Sequence, residues 1–172
     1  GQDWLGPSFP SFQTALDRGV SGIESDVWLT AAGVPVLVHD GVLGKVRKRR
    51  VAELRRDELP GHIPALADLI AACGSAFELS LDLKDDGAGR AVLDVVATAA
   101  PDLMGHTWLC HPDVDVLTAI RPLDGDVKLM NSTRLQRLTE GPERRAARLA
   151  ELAIDGINLR KDDWNGGLVT LF

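Results

Sequence analysis

From Phe77 onward the sequence changes period every few residues. Short, nearly all-apolar runs suited to buried strands alternate with longer stretches whose apolar residues recur at helical spacing. The pattern predicts strands over 77–83, 107–110, 127–130 and 156–159, and helices over 88–100, 113–120 and 143–152. Alternation of this kind builds parallel βα units, and strands apolar throughout belong to a sheet covered on both faces or closed into a barrel. No linker, composition shift, repeat or low-complexity segment divides residues 1–172, so one domain is expected.

Ahead of that run, Pro10, Phe12, Ala15 and Leu16 fall at helical spacing and Gly19 supplies a stop. Two β-rich stretches follow, 20–29 and 34–38, joined by an Ala-Ala-Gly turn too short to hold a crossover helix, which predicts an antiparallel hairpin. Folding the chain about Ala32 brings Asp26 level with Val38 and sets His39 beside Glu24 and Asp26. Pro64 then opens a helix through Leu66, Leu69 and Ile70 that Gly74 ends.

The hairpin carries the chemistry. Glu24 and Asp26 are two residues apart, so in a strand both leave the same face. Like charges this close need a cation, a proton or a basic side chain to compensate them. A solvated pair at a strand end and a pair of metal ligands both satisfy that. In "FELSLDLKDD", Leu79, Leu81 and Leu83 alternate with Ser80, Asp82 and Lys84, so Asp82 and Lys84 share a face. They form either an ordinary ion pair or, at the C-terminal ends of barrel strands where active sites lie, a third oxygen ligand and an anion-binding ammonium. All-oxygen ligation favours magnesium, calcium or manganese over zinc. His39 beside such a site has the titration range that proton transfer to a leaving oxygen requires.

These residues resemble a known family. "GIESDVWLTAAGVPVLVHD" is similar to the glycerophosphodiester phosphodiesterase signature of a Glu-x-Asp strand, a Gly turn and a Val-x-x-His-Asp strand. "SFPSFQTALDRGVSG", "HIPALADLIAACG" and "LSLDLKD" resemble the family's leading helix, its Ile-Pro-x-Leu helix and its acidic-plus-Lys strand. From about Lys84 to "IDGINLRKDDW" the likeness is weaker. The resemblance implies a TIM-type (β/α)8 barrel that hydrolyses a small-molecule glycerophosphodiester to glycerol phosphate and an alcohol. Carried over residue by residue, Glu24, Asp26 and Asp82 match the family's ligands for one divalent cation, His39 its second catalytic histidine and Lys84 the adjacent basic residue. A noncatalytic relative that binds metal or phosphodiester is the alternative reading. The family usually has Glu where Asp82 stands, and "GPS" at Gly6–Ser8 replaces its Glu-Asn-Thr. No His-Arg-Gly triplet, source of the other acid/base and of a phosphate-binding Arg, precedes the first helix.

A full barrel of this type takes about 250 residues. This chain has 172 and ends in "GGLVTLF", which reads as the start of a helix, so the first strand and the last units are expected to lie outside it. A formal charge of −6 gives no overall field for nucleic acid or an anionic membrane. Cys73 and Cys110 lack disulfide or CxxC spacing and read as small buried residues of a reducing, cytoplasmic compartment. No apolar run is long enough for stable membrane insertion and none follows a charged start as in a leader, although a chain opening at Gly1 leaves room for a removed one.

His111 and Asn131 stand at predicted strand ends and are candidates for substrate contact. "KVRKRR" at 45–50 reads as a solvated loop, His62 and His106 as surface residues, Gly166 and Gly167 as a helix start and Trp164 as packing.

Overall fold

The structure, a computed structural model, describes residues 9–44 and 47–172. The Gly6–Ser8 stretch and Lys45 of the basic run lie outside the described residues. Helix α1 (Phe9–Asp17) leads into β1 (Gly22–Leu29), which pairs antiparallel with β2 (Pro35–Leu37). The hairpin register is the expected one: Val38 N–H donates to Asp26 O at 3.2 Å. Thr30 and Val34 close the turn, and Gly33 sits at φ +75°, a conformation that costs glycine little and a β-branched residue much.

The connection after β2 holds a small ladder, β3 (Val42–Leu43) with β4 (Arg49–Arg50), then helix α2 (Leu66–Cys73). From there strands and helices alternate: β5 (Glu78–Leu83), α3 (Ala88–Ala99), β6 (Thr107–His111), α4 (Val114–Ile120), β7 (Lys128–Ser132), α5 (Pro142–Glu151), β8 (Gly156–Asn158) and α6 (Gly166–Leu171). The main sheet runs β2-β1-β5-β6-β7-β8, and every pairing from β1 to β8 is parallel. Sequential parallel strands joined by helices are the arc of a TIM-type barrel.

Strand parity decides what each face carries. Ile23, Val27, Leu79, Leu81, Leu83, Leu109, Leu129 and Ile157 are buried in one core with Leu69, Val92, Val96, Leu117 and Leu149 from the helices. Paired residues of parallel strands point the same way, so Asp26, Asp82, Cys110, Met130 and Gly156 form one row on the opposite, inner face. Ser80 Oγ and Cys110 Sγ meet there at 3.6 Å.

A second, smaller core of Val36, Val51, Leu54, Leu59, Ile63 and Ala65 sits in the β2–α2 connection, with Trp28 and Val38 packed against it. Cys73 is only half-buried, unlike Cys110, because it ends α2. Trp164 packs edge-on to Phe172, with ring centroids 6.5 Å apart. Among the described residues no helix is long and apolar enough to cross a membrane.

Candidate metal centre

The β1–β5 ladder sets the site. Asp26 and Asp82 are direct partners in it and Glu24 lies one inner-face position below, opposite Ser80. One carboxylate oxygen from each of Glu24, Asp26 and Asp82 can be chosen so that all three lie within 4.8 Å of one another. Hard dications bind oxygens at about 2.0–2.6 Å, so three oxygens with that separation can share one ion.

The electrostatics fit a cation. The Glu24 carboxyl is held above the ordinary glutamate range, first by desolvation, then by the charges of Asp82 and Asp26, while Lys84 and His39 pull it the other way. Lys84 Nζ bridges the two aspartates, 3.0 Å from Asp26 Oδ1 and 3.2 Å from Asp82 Oδ2. Desolvation lowers the lysine, but its hydrogen bond to Asp26 and the charges of Asp82 and Asp26 more than offset that, and its pKa ends above the usual value. One ammonium against three carboxylates leaves the cluster negative, the condition under which a dication is bound.

Just behind Asp82 in the same row, burial pushes the Cys110 thiol up to about 11; its hydrogen bond with Ser80 opposes the shift and the Asp82 and Glu24 charges add to it. It is a packing group and not a thiolate ligand at neutral pH.

His39 arrives at the site through Gly41. A Cβ on Gly41 would lie 2.5 Å from the Trp28 ring, so only glycine lets the backbone lie against that indole. Gly41 O then accepts from Val51 N–H at 2.9 Å, and Leu37 N–H donates to Pro64 O at 2.9 Å, which ties both sides of the His39–Asp40 corner to the fold. The His39 ring is solvent-exposed and its Nδ1 meets Asp40 Oδ1 at 3.0 Å. A carboxylate only accepts, so that contact assigns a hydrogen to Nδ1 and leaves Nε2 for proton exchange. Asp85 Oδ2 accepts from Leu29 N–H at 2.7 Å and pins the ends of β1 and β5 together.

The two remaining candidates separate. His111 borders a cavity of about 490 Å³ at the C-terminal ends of β5–β8. Its Nδ1 accepts from Asp113 N–H at 3.0 Å, and its Nε2 lies 3.5 Å from Asp86 Oδ1. Asn131 does not reach the inner face. It is fully buried on the helix-covered side, its amide donating to Pro112 O at 2.9 Å and His111 O at 3.2 Å and its Oδ1 accepting from Arg145 at 2.9 Å. Its expected substrate contact is therefore corrected to a structural role. Parity carried the signal: 131 follows buried Leu129 by two.

Residues not singled out in the sequence complete the cavity: Ser132, Arg134, Arg137, Asn158 and Arg160, alongside Asp82 and Lys84. The available cue was an arginine just past the ends of two strands, "NSTR" and "NLR".

Residues 3–81 match the sequence model of the Glycerophosphoryl diester phosphodiesterase family. By that match, the first part of the chain is similar to this family. Both carboxylates of β1 and His39 fall inside the matched stretch, and Asp82 follows it directly. Among curated proteins none matches at a significant level. Solved structures of glycerophosphodiester phosphodiesterases are similar in fold. An Oleispira antarctica phosphodiesterase in complex with the product sn-glycerol-3-phosphate is 18% identical, with a TM-score of 0.80 over 99% of this chain and 76% of that one. The Thermotoga maritima enzyme is 19% identical, with a TM-score of 0.72 over 88% and 66% of the two chains. An Agrobacterium tumefaciens enzyme is 16% identical, with a TM-score of 0.64 over 95% of each.

Proposed function

We propose that the protein hydrolyses glycerophosphodiesters to glycerol phosphate and an alcohol, using one divalent cation, magnesium, calcium or manganese, held by Glu24, Asp26 and Asp82. What carries the reading is the convergence of those carboxylates with Lys84 on the inner face of neighbouring β1 and β5, in and beside the family-matched segment. The Oleispira antarctica relative holds sn-glycerol-3-phosphate, the type of product this reaction releases.

A bound dication supplies Lewis acidity toward a phosphoryl oxygen. The protein's own residues do the rest. Lys84 holds an anionic oxygen of the diester, a task for which its raised pKa keeps it charged. Asp40 holds His39 through Nδ1, and the imidazolium gives its Nε2 proton to the alcohol oxygen as the P–O bond breaks. The attacking water loses a proton to solvent as its oxygen bonds to phosphorus, and His39 regains from solvent the proton it gave the alcohol. Asp85 ties the ends of β1 and β5, and Gly41 sets the His39 corner against Trp28, which positions these groups.

The test is release of glycerol phosphate from glycerophosphocholine in excess magnesium, calcium or manganese. Metal-dependent release that His39→Ala abolishes while metal affinity is kept supports the reading. Tight metal binding with no hydrolysis of any glycerophosphodiester would instead support the noncatalytic binding module.

A further inference from the structure

The cavity beside the carboxylates carries more positive charge than one phosphodiester requires. Lys84 and a dication together bring three positive charges to the three carboxylates, which balances them. Arg134, Arg137 and Arg160 line the same cavity in addition. Elsewhere Arg49, Arg55, Arg56, Arg121, Arg145 and Arg148 are tied to carboxylates, while Arg18, Arg50, Arg90 and Arg144 have no ion pair among the described residues but line no common cavity with one another. The three at the cavity have no such ion pair among the described residues. Of the acids near them in the chain, Asp163 accepts from Leu135 N–H at 3.1 Å, Glu140 is tied to Arg145 and Asp155 to Arg121. Three unpaired guanidinium groups converging in a chain of net charge −6 run against its overall balance.

Their placement is built by the fold. Arg134 and Arg160 follow the ends of neighbouring β7 and β8, which Thr133 N–H to Asn158 O binds together at 2.8 Å, and Arg137 ends the turn Leu135–Arg137 between β7 and α5. The guanidiniums therefore stand on the β7–β8 side of a cavity whose other side holds Asp82 and Lys84. A volume of about 490 Å³ is within the range of small-molecule sites, about 300–1,000 Å³, and has room for a group beyond the scissile phosphate.

We infer that this cavity selects glycerophosphodiesters whose alcohol portion carries a second phosphate-type anion, held by Arg134, Arg137 and Arg160. The inference rests on the hydrolysis proposed above. Guanidinium forks match phosphate oxygens in geometry as well as charge.

The test compares glycerophosphoglycerol, whose head group is neutral, with bis(glycerophospho)glycerol, which carries a second phosphodiester. The expected result is a kcat/KM higher for the second compound by about tenfold, the product of three solvent-exposed charge contacts, and a preference that shrinks as ionic strength rises. The triple variant R134Q/R137Q/R160Q should bring the ratio to about the twofold that two equivalent phosphates give, and the triple Lys variant should keep most of it. Calorimetric binding of bis(glycerophospho)glycerol to the metal-loaded protein is measured alongside and should weaken in the Gln variant. A ratio in the parent no higher than that twofold, or a ratio above it that survives in the Gln variant, overturns the inference. Inactivity on both diesters overturns the hydrolysis reading, while the binding comparison still decides the arginine cavity: equal binding by parent and Gln variant rejects it.

Discussion

Asp26 and Asp82 are direct neighbours in the parallel β1–β5 ladder, and Lys84 spans them with contacts of 3.0 and 3.2 Å. Two like charges facing each other in the ladder are tolerated because a cation lies between them, and a metal ion held by the same carboxylates would be repelled by that ammonium.

Lys84→Met should therefore tighten magnesium or calcium binding by roughly two- to fivefold, the size of a partly exposed charge contact, while diester hydrolysis falls. Calorimetric titration beside the hydrolysis assay reads both. Weaker metal binding in the variant would mean that the lysine supports the ion and does not repel it.

Glu24 gives the metal-free protein a pH dependence of definite sign. Its folded-state pKa is raised, so the folded protein binds that proton more tightly than the unfolded chain does. This contribution to stability is complete below the ordinary glutamate value of about 4.3 and is lost as pH rises through the higher folded value. In chelator, thermal unfolding of Glu24→Gln should fall off less than the parent over that interval. Metal affinity of the parent should rise over the same interval, as the dication displaces the proton.

Gly41→Ala places a methyl against the Trp28 ring at a separation of 2.5 Å before relaxation. Overpacking of this kind costs about 1–3 kcal/mol, read by denaturant unfolding. Because the same contact sets the His39 corner, hydrolysis should drop more than metal affinity does. Equal loss of both would place the effect in the carboxylates instead.

Asn131→Ala should lower stability by about 1–3 kcal/mol, since it strands two carbonyls and part of Arg145 in a buried setting. Metal affinity should stay near that of the parent. A selective rise in KM for the diester, with stability unchanged, would restore the substrate contact that the structure removes.

The strand and helix order was legible because each element announces its own period. The hairpin register followed from a turn too short for any other path. Edges were less legible: β1 starts at Gly22 and not at Val20, because Val20 N–H is taken by Ala15 O in the turn that ends α1. Glu24, Asp26 and Asp82 could be grouped in advance because each sits in a strand with a clear alternation. The arginine cavity could not, since Arg134, Arg137 and Arg160 follow strands or sit in a turn and meet only once β5, β7 and β8 are set in their sheet order. Asn131 was misplaced by weighing its position along the strand over the side that its parity gives it.

The carboxylate triad is tested most directly by calorimetric titration of the parent and of Asp26→Asn with magnesium and calcium at neutral pH. The geometry predicts one ion bound per chain and, in Asp26→Asn, affinity weaker by at least about tenfold. Unchanged affinity in the variant would contradict a metal centre built on Glu24, Asp26 and Asp82.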